Sequence, residues 1–432
     1  MPRVLLLIPS ATYRAHDFVA AAAALELELV VASDRRQALS AVLGDRALTL
    51  PLRRPGEAVE RIEELHARAP LDAVVAVDDQ GVRVAALAAE RLGLRGNPPQ
   101  AAERTRDKGA MRAALEAAGV PQPAYRLVAP TDDVATLALK VGLPCVVKPL
   151  ALSASRGVIR ADSPAGAAAV AERVRALLAE AGEAAGAALL VERYLPGEEV
   201  AIEGLLRGGR LELLALFDKP DPLEGPYFEE TLFVTPSRHP VGLQEELCVA
   251  AGRAAAALGL TEGPVHAELR TDGERVWVLE LAARSIGGLC SRALRFGVGA
   301  TLEELILRHA LGLELGDVTR ERPAAGVMML PIPHAGVFER VGGQEEARAV
   351  EGIEDLVISV APGRPVRPLP EGDRYLGFLF ARAETPELVE RALREAHGRL
   401  EVAIGAPRAR SPAASVGADV PNSTGGTPRR AQ

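Results

Sequence analysis

Two acids, Glu268 and Glu280, stand one each in two apolar-rich runs, Val265–Arg270 and Arg275–Leu281, on either side of an Asp272-Gly273 turn. That pattern predicts a β-hairpin. An acid inside a half-buried strand is costly unless something pairs with it. A simple two-residue turn would send the two acids to opposite faces, because side chains alternate along a strand. A three-residue loop, with a type I turn and a glycine bulge, shifts the register by one and puts both on one face. We predict that geometry. Arg284 and the amides of Gly287 and Gly288 follow at once in the sequence. Two carboxylates beside an arginine and glycine amides suit a divalent cation bridging phosphates, since Mg²⁺ prefers one or two carboxylates plus phosphate oxygens and water. The plain alternative is two exposed acids on an edge hairpin.

The lysines point the same way. Only Lys108, Lys140, Lys148 and Lys219 occur; the rest of the 50 basic residues are arginines. A lysine is a compact point charge, suited to a phosphate contact where a guanidinium fork would not fit. Lys148 lies near the end of the strand-like run Leu143–Pro149, and the small-residue loop Ser153-Ala154-Ser155-Arg156-Gly157 leads into a returning strand, Val158–Arg160. Such a hairpin can lay backbone amides and hydroxyls over phosphates, or be an ordinary turn. It is not a P-loop, because the chain has no Gly-Lys dipeptide. The run Val191-Glu192-Arg193-Tyr194-Leu195 ends another strand and is followed by Pro196-Gly197-Glu198-Glu199. An exposed strand-end backbone can pair with an adenine edge, and a nearby acid can hold ribose hydroxyls. Lys219 and His239 lie on a long loop from Asp218 to Pro240, and loops of that length are often functional. His266 shares a strand face with Glu268. Each of these three is a candidate substrate contact, with an ordinary surface or hydrogen-bonded role as the alternative.

The elements that must position these residues alternate. Strands at Arg3–Ile8, Glu28–Ala32 and Leu71–Val77 interleave with helices at Asp17–Ala24, Glu57–Ala69 and up to Leu92, which predicts a parallel α/β unit. Pro9-Ser10-Ala11-Thr12 stands where a dinucleotide fold would carry G-x-G-x-x-G, which argues against a dinucleotide site. Asp78 and Asp79 fall at a strand end where α/β sheets bind ligands, or cap the next helix. After Asn97-Pro98-Pro99 come a helix from Arg104 to Gly119, a helix at Asp132–Val141, a long Ala-rich helix at Ser163–Glu183, the strand Glu199–Leu206 and a helix at Gln244–Leu258. Thr301–Leu311 carries a capping-box pattern. Strands at Gly326–Pro331, within Gly336–Pro362 and at Gly377–Ala383, with the helix Pro386–Leu400, make a last α+β unit. From Ala406 onward the sequence lacks periodicity and is expected to be disordered.

At 432 residues and 48% apolar, the chain can bury two or three cores. A net charge of −8 argues against nucleic acid or a membrane surface as partner. Cys145, Cys248 and Cys290 are in apolar sequence without metal-type spacing, so reduced buried thiols are expected. No signal-peptide core and no run of 18 uncharged apolar residues is present, so a cytoplasmic protein is expected, with a homodimer as the commonest assembly.

Taken in order, Asp107-Lys108, Val146-Val147-Lys148-Pro149, the Ser153–Gly157 loop, Val191–Leu195 with Glu199, and Glu268, Glu280 and Arg284 resemble an ATP-grasp fold over residues 100–312. The α/β unit before it is similar to a Rossmann-like pre-ATP-grasp domain. Val327–Pro331 and Arg374-Tyr375-Leu376-Gly377-Phe378-Leu379-Phe380-Ala381 resemble the C-terminal domain of bacterial L-amino-acid ligases. The implied division is 1–100, 101–312 with a flap at 121–204, an α+β domain at 313–405, and a tail at 406–432.

The resemblance implies that Lys108 and Lys148 contact ATP phosphates under a cover of Ser153, Ser155 and Gly157. It implies that Glu192, Arg193, Tyr194 and Leu195 border the adenine and that Glu199 holds the ribose. Glu268 and Glu280 would bind Mg²⁺ or Mn²⁺. Arg284 would steady the transferred phosphate and the tetrahedral intermediate, with Gly287 and Gly288 offering amides. Ala282 departs from the asparagine that many family members place there. The implied activity joins a small-molecule carboxylate to an amine, amino acids first, through an acyl phosphate, releasing ADP and phosphate. The alternatives are a ligase or carboxylase acting on another carboxylate, and a nucleotide-binding scaffold without turnover.

Overall fold

The computed structural model describes residues 1–10, 12–36, 44–184 and 186–406. The expectation for the tail therefore falls outside the described residues from 407 onward. The first unit is a four-stranded parallel sheet with the order Ala47–Thr49, Glu28–Ser33, Arg3–Leu7, Ala73–Ala76. Val4, Leu5, Leu6 and Leu7 are wholly buried, as expected of a parallel strand covered on both faces. Helices Ala15–Ala24, Pro55–Arg68 and Val82–Leu92 accompany it.

The single helix expected after Arg104 is two, Pro99–Arg106 and Lys108–Ala117. Asp107 separates them. It adopts an extended conformation, and its side chain accepts the Ala110 amide at 2.9 Å. An acid that can cap a new helix thus restarts the chain in a new direction and puts Lys108 at the first helical position. The flap is a four-stranded sheet with the order Tyr125–Val128, Leu189–Arg193, Cys145–Pro149, Ile159–Ala161, backed by helices Val134–Val141 and Pro164–Glu180.

The central sheet has eight strands in the order Val276–Ala282, Gly263–Thr271, Glu198–Arg207, Arg210–Asp218, Leu232–Thr235, Ala324–Leu330, Gly377–Ala383, Ile353–Ile358. Two of these, Arg210–Asp218 and Leu232–Thr235, were not expected; the second lies in the long loop that begins at Asp218. Leu232–Thr235 pairs with Ala324–Leu330, so one continuous sheet crosses the division expected at 312. One face of its first three strands packs Ile202, Leu206, Val265, Ala267, Leu269, Val278 and Leu281 against helix Val241–Leu258. A small sheet of Pro365–Val366, Gly336–Gly342 and Glu401–Gly405 completes the described fold. Among the described residues no helix is long and apolar enough to cross a membrane.

Candidate active site

The two acids face the same way, by a different device from the one predicted. Thr271 pairs with Val276, so the loop has four residues, Asp272–Arg275. The Asp272 carboxylate accepts the Glu274 and Arg275 amides at 3.2 and 2.9 Å, and Gly273 takes φ +92°. Continued unbroken, that register would set Glu268 against Leu279. It shifts instead between Glu268 and Leu269, so that Leu269 faces Val278 and Glu268 faces Glu280. Leu279 is the extra residue of a β-bulge in the second strand. Val278 and Leu281, three apart, consequently both reach the helix-packed face. The opposite face carries Glu199 and Glu203 from one strand, His266, Glu268 and Arg270 from the next, and Glu280 from the edge.

That polar face floors a cavity of about 480 Å³. Lining it are Lys108, Lys148, Ser153, Ser155, Glu192, Arg193, Tyr194, Leu195, Glu199, His266, Glu268, Glu280, Arg284, Gly287 and Gly288, so residues far apart in the sequence converge. Gly157, Lys219 and His239 do not line it. The Gly157 amide donates to the Pro370 carbonyl at 3.2 Å, which ties the flap loop to the last domain instead of leaving the amide free for a phosphate. Ala154 and Ser155, at φ +56° and +52°, hold the left-handed conformation without being glycine; such strain persists where surroundings fix it and is common at ligand clamps. His239 lies 3.4 Å from the exposed Glu198 carboxylate.

Lys219 is not an open substrate anchor. Its ammonium is buried among three acids: it bonds Glu199 at 2.7 Å, bonds Glu230, and lies 3.8 Å from Glu268. Carboxylate oxygens of Glu199, Glu230 and Glu268 fall within 4.8 Å of one another. Burial would lower the Lys219 pKa, but the three carboxylates drive it well above the ordinary lysine value. Burial and crowding by Glu268 and Glu199 push the Glu230 carboxyl up to about 7 despite Lys219. One ammonium cannot hold three acids ionised at equal ease.

His266 joins Glu203, which is fully buried, through Nδ1 and faces Glu268 through Nε2 at 3.4 Å. Burial disfavours its charge, yet the two acids raise its pKa to about 9. The second Glu203 oxygen accepts the Ile286 amide at 3.0 Å. Glu268 would be raised by burial, but Lys219, His266 and Arg284 hold it well below the usual carboxylate range. Glu280 receives Lys108 at 3.0 Å, and the same ammonium donates to the Leu152 carbonyl at 2.9 Å.

Lys148 and Glu192 project from adjacent strands on one face and pair at 2.7 Å. The other Glu192 oxygen takes Arg112 at 2.6 Å. Burial raises the Glu192 carboxyl, but the two cations bring it down to about 2. Burial lowers Lys148, partly offset by Glu192. Glu199 is likewise engaged, by Lys219 and by Arg270 at 3.0 Å. Arg270 also donates to the Leu195 carbonyl at 2.8 Å, which holds that strand-end backbone in place.

Arg284 is fixed from the first domain. Its guanidinium meets Asp79 at 3.0 Å, Arg106 takes the other Asp79 oxygen at 2.9 Å, and the Arg284 Nε is buried without a partner among the described residues. Burial opposes the charge of Arg284, while Asp79 and Asp78 raise its pKa further. Asp78 has the capping role, accepting the Asp79 amide at 2.7 Å. Sequence reading missed Arg112, Arg106, Glu203, Glu230 and Arg270. Of these, only the buried acid on the strand Glu198–Arg207 and the arginine two residues past Glu268 leave a periodic signal.

Comparison with known proteins follows the same outline. Residues 141–293 match the model of an ATP-grasp domain, residues 19–96 that of an ATP-grasp N-terminal domain, and residues 328–405 that of L-amino acid ligase C-terminal domain 2. Alanine–anticapsin ligase of Bacillus subtilis is 30% identical over 268 residues, which is 58% of this chain and 56% of that protein. The chain thus matches little more than half of that relative's length. The crystal structure of an L-amino acid ligase from Bacillus licheniformis superposes with a TM-score of 0.77 at 24% identity, covering 94% of this chain and 99% of that one. N5-carboxyaminoimidazole ribonucleotide synthetase from Thermotoga maritima has the same fold at a TM-score of 0.69 and 18% identity, over 94% of this chain and 100% of that one.

Proposed function

The chain is a member of the ATP-grasp superfamily, close to the L-amino-acid ligases, and from that premise we propose that it joins a carboxylate to an amine, with amino acids as the substrate class, at the expense of ATP. The observation that carries this reading is the bulge that sets Glu280 directly opposite Glu268, on the floor that Lys108 reaches from its helix and that shares the cavity with Arg284.

The donor set fits a hard cation. It is all oxygen, with two carboxylates standing as cross-strand partners, while the buried Arg284 Nε, without a partner among the described residues, is a donor suited to an anion such as phosphate rather than to the cation. Glu268 and Glu280 would hold Mg²⁺ or Mn²⁺; with Ala282 beside them, the protein offers these two carboxylates and no third amide ligand on that strand. Bound there, the cation would neutralise charge on the phosphates. Lys148 and Lys108 carry the phosphates, Lys108 shifting from Glu280 to the nucleotide. Leu195 and its neighbours border the base. Glu192, both oxygens engaged, acts by orienting Lys148, and Glu199 acts from beside Lys219 and Arg270.

The substrate carboxylate oxygen attacks the γ-phosphorus, the bond to the β,γ-bridging oxygen breaks, and ADP leaves. The amine then attacks the acyl carbon, phosphate departs with the C–O bonding pair, and the amine gives up a proton. Anion repulsion opposes the first step, and the two lysines and Arg284 answer it by positioning and charge. The Ser153–Gly157 loop over the cavity excludes water that would hydrolyse the acyl phosphate.

The test is phosphate release from Mg-ATP with a grid of amino acids, singly and in pairs, with products identified by mass. Release that requires two amino acids and yields an amide is the expected result. Release driven by bicarbonate or another carboxylate alone would replace the substrate class. Nucleotide binding without release from any combination would overturn the ligase reading.

A further inference from the structure

Arg112 lies in an Ala-rich helix, Lys108–Ala117, and is only 1% exposed. A guanidinium so deep is costly unless every donor is used. Here all three nitrogens are. Nε donates to Glu192 at 2.6 Å, NH2 to the Leu279 carbonyl at 2.5 Å, and NH1 to the Val278 carbonyl and the Gln122 side chain, each at 3.4 Å. Gln122 returns a bond to the Arg112 carbonyl at 2.8 Å.

The two carbonyls are consecutive. In a regular strand successive carbonyls point to opposite edges, so one guanidinium could not reach both. It does so here because Leu279 is the bulged residue. Among the described residues the strand Val276–Ala282 is the outer edge of its sheet, with no further strand there to fix its register. Its remaining tie at this point is the Val278 amide to the Pro121 carbonyl at 3.0 Å. Without the bulge Glu280 would turn to the helix-packed face.

We propose that Arg112 is a positioning residue for the metal-binding pair: its fork holds the bulge that turns Glu280 toward Glu268, and its Nε ties that bulge to the Glu192–Lys148 pair on the nucleotide side. Metal and nucleotide binding are thereby coupled through a side chain that touches neither. The proposal rests on the metal assignment above but not on the identity of the ligation substrates.

The experiment measures Mn²⁺ affinity by electron paramagnetic resonance with ADP present, and ADP affinity without metal, for the whole protein and for Arg112→Lys. Lysine keeps the charge and can reach Glu192 but lacks the planar fork that holds the two carbonyls in fixed geometry. Partners that orient metal ligands are typically worth roughly 10- to 100-fold in metal affinity. Arg112→Lys should weaken Mn²⁺ by about that factor, while metal-free ADP binding stays within about threefold. Gln122→Ala, a milder change at a half-buried side chain that steadies Arg112, should move Mn²⁺ affinity in the same direction by a smaller factor. Mn²⁺ affinity within twofold of wild type in both folded variants would overturn the proposal. So would equal weakening of Mn²⁺ and metal-free ADP, which marks a general loss of structure. Wild-type protein that failed to bind Mn²⁺ with ADP would overturn it together with the metal assignment, whereas missing ligation substrates would leave the comparison intact.

Discussion

Glu280 shows how much one residue's orientation is worth. As a proposed metal ligand its carboxylate counts only beside Glu268, and such a ligand contributes several kcal/mol to phosphoryl transfer, so Glu280→Gln should cut kcat more than about 100-fold. Metal-free ADP affinity, measured by calorimetry, should survive. A rate within a few-fold of wild type would remove Glu280 from the site. Glu192 allows a second prediction. Its folded pKa is depressed from 4.5 to about 2 by Arg112 and Lys148. A depressed carboxylate stabilises the fold fully above the unfolded value and loses that contribution as pH falls through the folded one. Between pH 4.5 and 2 it should therefore surrender about 3 kcal/mol. Glu192→Gln should be less stable at neutral pH and should show a smaller acid-induced drop in Tm over that window. Equal slopes for the two proteins would mean that Glu192 is not held by those cations. Both acids were legible in the sequence as polar residues in apolar strands. Arg112 was not, because a buried arginine in a helix is indistinguishable by pattern from a solvated one.

At the scale of elements, the sequence foretold the hairpin and that both acids share a face, but not where the extra residue sits. The turn residues Asp272 and Gly273 are compatible with loops of several lengths, and the bulged Leu279 is one apolar residue in a strand of them, so nothing in its type marks it as the extra one. Strands Arg210–Asp218 and Leu232–Thr235 were hidden for a related reason. The second is four residues long, and its identity comes from a partner strand far along the chain. Gly197 is a clearer signal. It joins strands Leu189–Arg193 and Glu198–Arg207 at φ +107°, and a Cβ there would lie 2.1 Å from the Thr271 carbonyl oxygen. Both the conformation and the contact forbid a side chain. Gly197→Ala should cost at least about 2 kcal/mol, read as a lower urea midpoint at unchanged slope. A midpoint equal to wild type would show that the turn relaxes freely.

Across the whole molecule, the first α/β unit acts as a support for chemistry carried elsewhere. Its strand-end cleft, where such sheets bind ligands, is entered by the segment after Ala282. Arg14, buried, donates to the Val77 carbonyl at 3.0 Å and to the Ser285 hydroxyl at 2.5 Å. Asp79, held well below the usual carboxylate range against the effect of burial, chiefly by Arg284 and Arg106, anchors Arg284 at 3.0 Å. The apolar core is continuous across this junction, with Val4, Leu6 and Phe18 in one cluster with Phe217, Phe233, Leu302 and Phe378. Asp79 is thus an anchor for two guanidiniums at the cavity wall and not the cap of the next helix, a role the sequence could not show because its partners lie on other elements. Asp79→Asn keeps the shape and removes the charge between two guanidiniums. Arg284 then loses its orientation without leaving the site, and misplacement of a positioned group by about 1 Å can cost on the order of 100-fold. The variant should lose roughly 10- to 100-fold in kcat while KM for ATP stays within about threefold, since the proposed nucleotide contacts lie on the flap, the helix Lys108–Ala117 and the central sheet and not on the first unit. If KM for ATP rose as steeply as kcat fell, Asp79 would be holding the domains together at large and Arg284 would have no special claim on it.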